Sequence, residues 1–306
     1  MRSTNQRVTV VVASLIAVTS VALAATDARL ADAAKRRDAA AVRMLLAEGT
    51  PVNATPPDGV TALHWAVQWD HAEMVDLLIG AGAPVNAADH YGVTPLALAC
   101  TNASAAMVNR LLAAGADPNA AQATGETALM TCARGGVVDA VTPLLARSVD
   151  VNVGESTHGQ TALMWATWEG HTDVVRTLLE HGTDVDARTT TGYTALLFAA
   201  REGDSETTEA LLEAGADVNA PAGNQTTPLA MAVINAHYEL AKVLLDAGAD
   251  PNLTDPRSSL LHALAWMRRP GSGRPPIPTG TLDSLDLARA LLEAGADPHQ
   301  QVGWRE

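Results

Sequence analysis

The stretch TALHWAVQWDH, residues 61–71, sets two histidines, two tryptophans and an aspartate within eleven positions. A histidine beside a carboxylate and aromatic walls is the material of general acid–base catalysis. The wider sequence supplies none of the partners that such chemistry needs. HExxH, CxxC, GxSxG, a phosphate-cradling glycine loop and a calcium loop are all missing. Cys100 and Cys132 are the only cysteines, too few for a disulfide scaffold. Asp184 and Asp186 alternate in direction along a turn and make no paired carboxylate site. Placement therefore has to be read from the elements that carry these residues.

Composition restricts those elements. Of the 306 residues 47% are apolar, yet only 3% are aromatic, so the core is built from Ala, Leu and Val, which suits closely packed helices. The net charge of −14 argues against a nucleic-acid partner, because such a chain repels phosphate backbones. At the N-terminus, Arg2 and Arg7 precede an apolar run from Val8 to Val18 and then Ala22-Leu23-Ala24. This order of charged flank, short apolar run and small-residue site predicts a signal peptide over 1–24, and with it export to a periplasm or the medium. An uncleaved anchor is the alternative, but Thr9, Ser14, Thr19 and Ser20 make a poor span. Cleavage leaves the mature chain two charges more negative and without a membrane span.

A repeat organises the remainder. Leu45-Leu46, Leu78-Ile79, Leu111-Leu112, Leu144-Leu145, Leu178-Leu179, Leu211-Leu212, Leu244-Leu245 and Leu291-Leu292 follow one another at steps of 33, 33, 33, 34, 33, 33 and 47. Half a period earlier stand TALHWA, TPLALA, TALMTC, TALMWA, TALLFA and TPLAMA, beginning at Thr61, Thr94, Thr127, Thr161, Thr194 and Thr227. After the leucines come GADPNA, GTDVDA, GADVNA and GADPNL. Thr caps a short helix, Pro fits its first turn, and Ala lets helices approach. A second helix brings the leucines to the core and ends at Gly, beyond which Asp and Asn bond the turn.

With these phrases the chain resembles ankyrin-repeat proteins over nearly all of residues 28–300, in both the T-P-L-H-x-A phrase and the period. The resemblance implies an all-α repeat solenoid, an ankyrin stack of helix-turn-helix units joined by short β-hairpin loops, with about eight repeats. Residues 25–57 form the N-terminal capping repeat, 58–254 hold six more, 255–300 hold the eighth with a Pro-rich insert at 268–282, and 301–306 begin a further repeat or a truncated tail. YGVTPLALAC and the Pro-rich insert are similar to secreted bacterial ankyrin-repeat proteins with longer arrays.

Counted from each Thr as zero, the histidines of the opening stretch follow repeat register. His64 at position three is the family's TPLH histidine and is expected to hydrogen-bond the neighbouring repeat. His71, His171 and His237 share position ten. Trp65, Trp165, Phe198 and Met231, at position four, point into the stack. Cys100 and Cys132, at positions six and five, are expected as buried, unpaired thiols, held too far apart for a relaxed disulfide. His90 and His158 stand two units apart on hairpins, which argues against a shared metal, and no cofactor is expected.

Positions seven and eight, with the hairpin tips, are where the resemblance places partner contacts on the concave face. They give Gln68, Trp69, His90, Tyr91, Thr101, Asn102, His158, Trp168, Glu169, Tyr193, Arg201, Glu202 and Trp266. Trp69, Trp168 and Trp266 are expected as exposed anchors on one face. The reading is a monomeric, exported, non-catalytic scaffold for another protein. Alternatives are a small-molecule or glycan receptor using those tryptophans, or the binding part of a longer multidomain protein. In repeat four, Pro143 inside the second helix and RSVD in place of the Gly turn predict a local soft spot, with Ser148 forced to close the helix in an unfavourable conformation.

Overall fold

The computed structural model describes residues 28–253, 259–267 and 280–300. The expected leader, most of the Pro-rich insert and the segment 301–306 lie outside the described residues. Among the described residues sixteen helices run in pairs, an inner helix followed by an outer one. The pairs are α1 (Arg29–Lys35) and α2 (Ala39–Ala47), α3 (Ala62–Gln68) and α4 (Ala72–Gly80), α5 (Pro95–Thr101) and α6 (Ala105–Ala113), and α7 (Ala128–Gly135) and α8 (Val138–Leu145). The remaining pairs are α9 (Ala162–Trp168) and α10 (Thr172–Glu180), α11 (Ala195–Glu202) and α12 (Ser205–Glu213), α13 (Pro228–Ile234) and α14 (Tyr238–Asp246), and α15 (Leu260–Met267) and α16 (Ser284–Glu293). The described residues divide into two compact units, 28–132 with 146–148, and 133–145 with those from 149 onward.

The inner helices α3, α5, α7, α9, α11 and α13 start at their Thr for the expected reason. The hydroxyls of Thr94, Thr161, Thr194 and Thr227 accept from the backbone N–H three residues on, at 3.2–3.4 Å, and Pro95 and Pro228 occupy the first helical turn. These helices are only seven or eight residues long, too short to be stable alone, so packing between repeats must hold them. Leu63, Leu96, Leu163, Leu196 and Leu229 are each about 1% exposed between successive inner helices, while Leu78, Leu111, Leu178, Leu211 and Leu244 fill the space beneath the outer ones. Each repeat thus borrows its interior from its neighbours.

The phrase after the leucines links one turn to the next. Asn86 accepts from the N–H of Asp117 at 2.7 Å and donates to the carbonyl of Gly115 at 3.1 Å. Asn152 accepts from Asp184 N–H, Asp186 from Asp217 N–H and Asn219 from Asp250 N–H. Asn252 repeats the pattern with Asp297 N–H and the Gly295 carbonyl, so the eighth repeat keeps register across its insert. The expected hairpins are turn-rich fingers rather than strand ladders. Among the described residues the single β-bridge joins Ala121 to Thr127, and adjacent tips share a backbone bond, as from Thr190 N–H to the His158 carbonyl at 2.8 Å.

The first repeat buries Leu30, Ala33 and Ala34 and exposes Arg29, Asp32 and Arg36. Two expectations need correction. Ser148 does not enter the left-handed region. Helix α8 contains Pro143 and ends at Leu145, and Arg147 turns back to donate to the Leu112 carbonyl at 3.0 Å, while the Ser148 carbonyl accepts from Asn119. Left-handed residues recur at position nine, between inner and outer helices: Gly136, Gly170 and Gly203, but also Asp70, Ala103 and Ala236, with Arg37 at the equivalent place in the first repeat.

The second correction is chemical. Cys100 and Cys132 are not free thiols but a disulfide, with Cα atoms 4.4 Å apart. Helix axes about 10 Å apart overstate the gap between facing residues, because each backbone cylinder has a radius near 2.3 Å, leaving roughly 5 Å between facing Cα atoms. The one-position offset between the two cysteines lets position six of α5 look toward position five of α7.

Candidate functional site

The histidines of the opening stretch are structural. Thr61 N–H donates to His64 Nδ1 at 3.1 Å, which leaves Nε2 to donate to the Val93 carbonyl at 3.0 Å. Burial holds the imidazole below the ordinary histidine pKa, against the opposing pull of that carbonyl and of Asp89 and Asp58. His171 and His237 reach back to the carbonyls of Arg134 and Arg201, each at 3.0 Å, whereas His71 Nδ1 caps the N–H of Met74 at 3.3 Å.

In the first unit the predicted contact residues are largely engaged. Trp69 is half-buried at the end of α3. Its Nε1 donates to the Lys35 carbonyl at 3.2 Å, its ring stacks with Trp65 at 6.1 Å, and the Arg37 guanidinium lies 3.9 Å over it. Lys35 covers Trp65 in the same way. Trp69 is therefore a seal between the first and second repeats, not a bare anchor. Asn102 donates to the carbonyls of Val67 and Gln68, and Thr101 to that of Ala97. Gln68 is half-buried, while His90 and Tyr91 stand out at a tip, Tyr91 being 74% exposed.

The second unit assembles a continuous strip. Trp168, the last residue of α9, is 39% exposed and lies between Trp165 (5.9 Å, 11° between planes) and Phe198 (5.4 Å, 19°). Tyr193 tilts against Phe198 at 5.4 Å, and the Arg201 guanidinium sits 4.6 Å over Trp168 with its Nε 2.8 Å from Glu202. Arg134 covers Trp165 at 5.0 Å. Four predicted residues, Trp168, Tyr193, Arg201 and Glu202, are thus brought together, with Glu169 exposed beside them. Trp165, Phe198 and Arg134 complete the strip; at position four Phe198 and Met231 are buried, as expected, and Phe198 backs the strip from within. Trp165 is only half-buried, and a run of aromatics at positions four and seven of neighbouring repeats was the available signal. Trp266 is 53% exposed on α15, and Ile234 is 50% exposed at the end of α13.

His158 is exposed at its tip above Glu155, whose carboxylate accepts from the N–H groups of Thr157 and His158 at 2.6 Å and of Gln160 at 3.3 Å. Burial alone raises such a carboxyl's pKa, but the three N–H bonds outweigh it and the net shift is downward. Among the described residues, no group of three His, Cys, Asp or Glu side chains could hold a metal ion.

The paired helices, Thr caps and Asn-linked turns recur together with a match to the ankyrin-repeat profile in three copies, over residues 30–122, 102–189 and 181–255. The chain belongs to the ankyrin-repeat family. Among solved ankyrin structures, that of the human ASB11 ankyrin repeat domain is similar at a TM-score of 0.64 and 28% identity, covering 72% of this chain and 98% of that one. The ankyrin repeat domain of Bcl-3, described as a unique member of the IkappaB protein family, is similar at a TM-score of 0.59 and 29% identity, covering 67% of this chain and 93% of its own. No curated protein matches the sequence. Among the described residues, no helix of this ankyrin chain is long and apolar enough to cross a membrane.

Proposed function

We propose that this ankyrin-repeat chain is an exported, non-catalytic scaffold that grips another protein through the aromatic and guanidinium strip of its second unit. The observation that carries the reading is the row Tyr193, Phe198, Trp168 and Trp165 with Arg201 and Arg134 laid on its rings. Aromatic and Arg side chains held rigid before contact lose little entropy on binding and dominate protein interfaces. Export to a periplasm or the medium is supported by the order of residues 1–24 and by a cystine, a bond that persists in oxidising compartments.

A small-molecule or glycan receptor is the weaker reading. Stacking a sugar needs a free ring face, and Arg201 already covers Trp168. The test is affinity capture from an envelope extract with the mature chain beside a Trp168→Ala, Arg201→Ala variant whose circular dichroism matches. The expected result is a partner retained by the first and lost by the second. Identical captured sets would remove the strip from the account.

A further inference from the structure

The Cys100–Cys132 bond joins inner helices α5 and α7 across 32 positions of sequence, and both cysteines are sealed, at 0% and 1% exposure. At the same two register positions other repeats carry Ala66, Val67, Ala99, Ala133, Ala166, Thr167, Ala199 and Ala200, all buried small residues. A reduced cysteine is of that size. The stack therefore closes around two thiols as readily as around two alanines, and the bond is an addition to the packing rather than a condition for it.

We propose that this cystine is a permanent staple between the third and fourth repeats, made before α5 and α7 pack and beyond the reach of reductants afterwards. Disulfide exchange requires a thiolate to approach a sulfur in line through a mixed disulfide. Neither sulfur is open to such an approach in the packed stack. The bond then forms while the helices are still apart. One cysteine thiolate attacks a disulfide-bearing oxidant and expels a thiolate. The second cysteine thiolate attacks the mixed disulfide and expels the other. The chain loses two protons and two electrons, and the oxidant leaves as two thiols. Once the repeats close, exchange waits on local opening of the stack. This places folding itself in an oxidising compartment, and it marks the bond as a lock and not a switch.

Thiol counting on the full chain, folded in an oxidising compartment, tests the proposal without any partner. Native protein is treated with an alkylating reagent and weighed, then exposed to dithiothreitol with and without a denaturing concentration of urea, with alkylation at intervals. The expected result is no label on the native protein, and reduction at least about tenfold slower in the folded than in the unfolded chain. A Cys100→Ala, Cys132→Ala variant takes no label in either state and identifies the two sites by difference. Two labelled cysteines in the native protein, or equal reduction rates folded and unfolded, would overturn the staple. The wild-type rates decide the matter even if the double variant fails to fold. Neither result bears on the aromatic strip, whose test is partner capture.

Discussion

His64 shows how a residue suited to catalysis becomes structural. Its Nδ1 accepts from Thr61 and its Nε2 donates to Val93, so the native fold holds it neutral. The folded pKa lies below the unfolded value of about 6.5, so the unfolded chain binds the proton first as pH falls. Stability is then full above pH 6.5 and declines as pH drops from there toward the folded pKa. Urea titrations between pH 7.5 and 5 should show this decline, and His64→Asn should flatten it. An unchanged slope would remove His64 as its source. Glu155 contributes in the opposite chemical sense, as a buried acceptor for three N–H groups. Glu155→Ala leaves them without a partner and should cost about 2 kcal/mol in the same titration. The histidine's role was readable from repeat register. The glutamate's was not, because no other repeat has a Glu at that tip, and only the folded turn shows its three donors.

At the level of the helix pair, the joint at position nine needs a left-handed residue whatever the sequence supplies. Gly203 meets that need at φ 78°, and a Cβ there would fall 2.5 Å from the His237 ring. Gly203→Ala combines backbone strain with a collision and should destabilise the second unit by about 2 kcal/mol. Ala103, at φ 53°, carries the strain already. Ala103→Gly should therefore stabilise by roughly 0.5–1 kcal/mol, the strain relieved exceeding the entropy cost of glycine. Paired denaturation curves check both signs. Helix starts were plain in the Thr and Pro phrases, and helix stops in the Gly-Ala-Asp phrases. The joint was hidden because Arg37, Asp70, Ala103 and Ala236 fill a place that local chemistry assigns to glycine. Trp69 was misjudged for a related reason: it ends α3 one position later than Trp168 ends α9, and that single step turns it onto Lys35 and Arg37.

Over the whole molecule, the 33-residue period carried the architecture, since a recurring unit that cannot bury its own apolar face must stack. The period could not disclose the covalent link between repeats. Distances between helix axes had argued against it, whereas facing backbones come within disulfide reach. Closing a loop of this length should contribute about 4 kcal/mol, so reduction in urea followed by refolding should yield a chain less stable by that order. The acidic balance of −14 favours a partner with a basic face, which should bind more weakly as salt rises. Hydrogen exchange on the captured complex tests the central claim most directly. The account predicts new protection at residues 165–169 and 193–202, and little change in the outer helices α10 and α12. Protection confined to those outer helices, with the aromatic strip still exchanging as in the free chain, would contradict it.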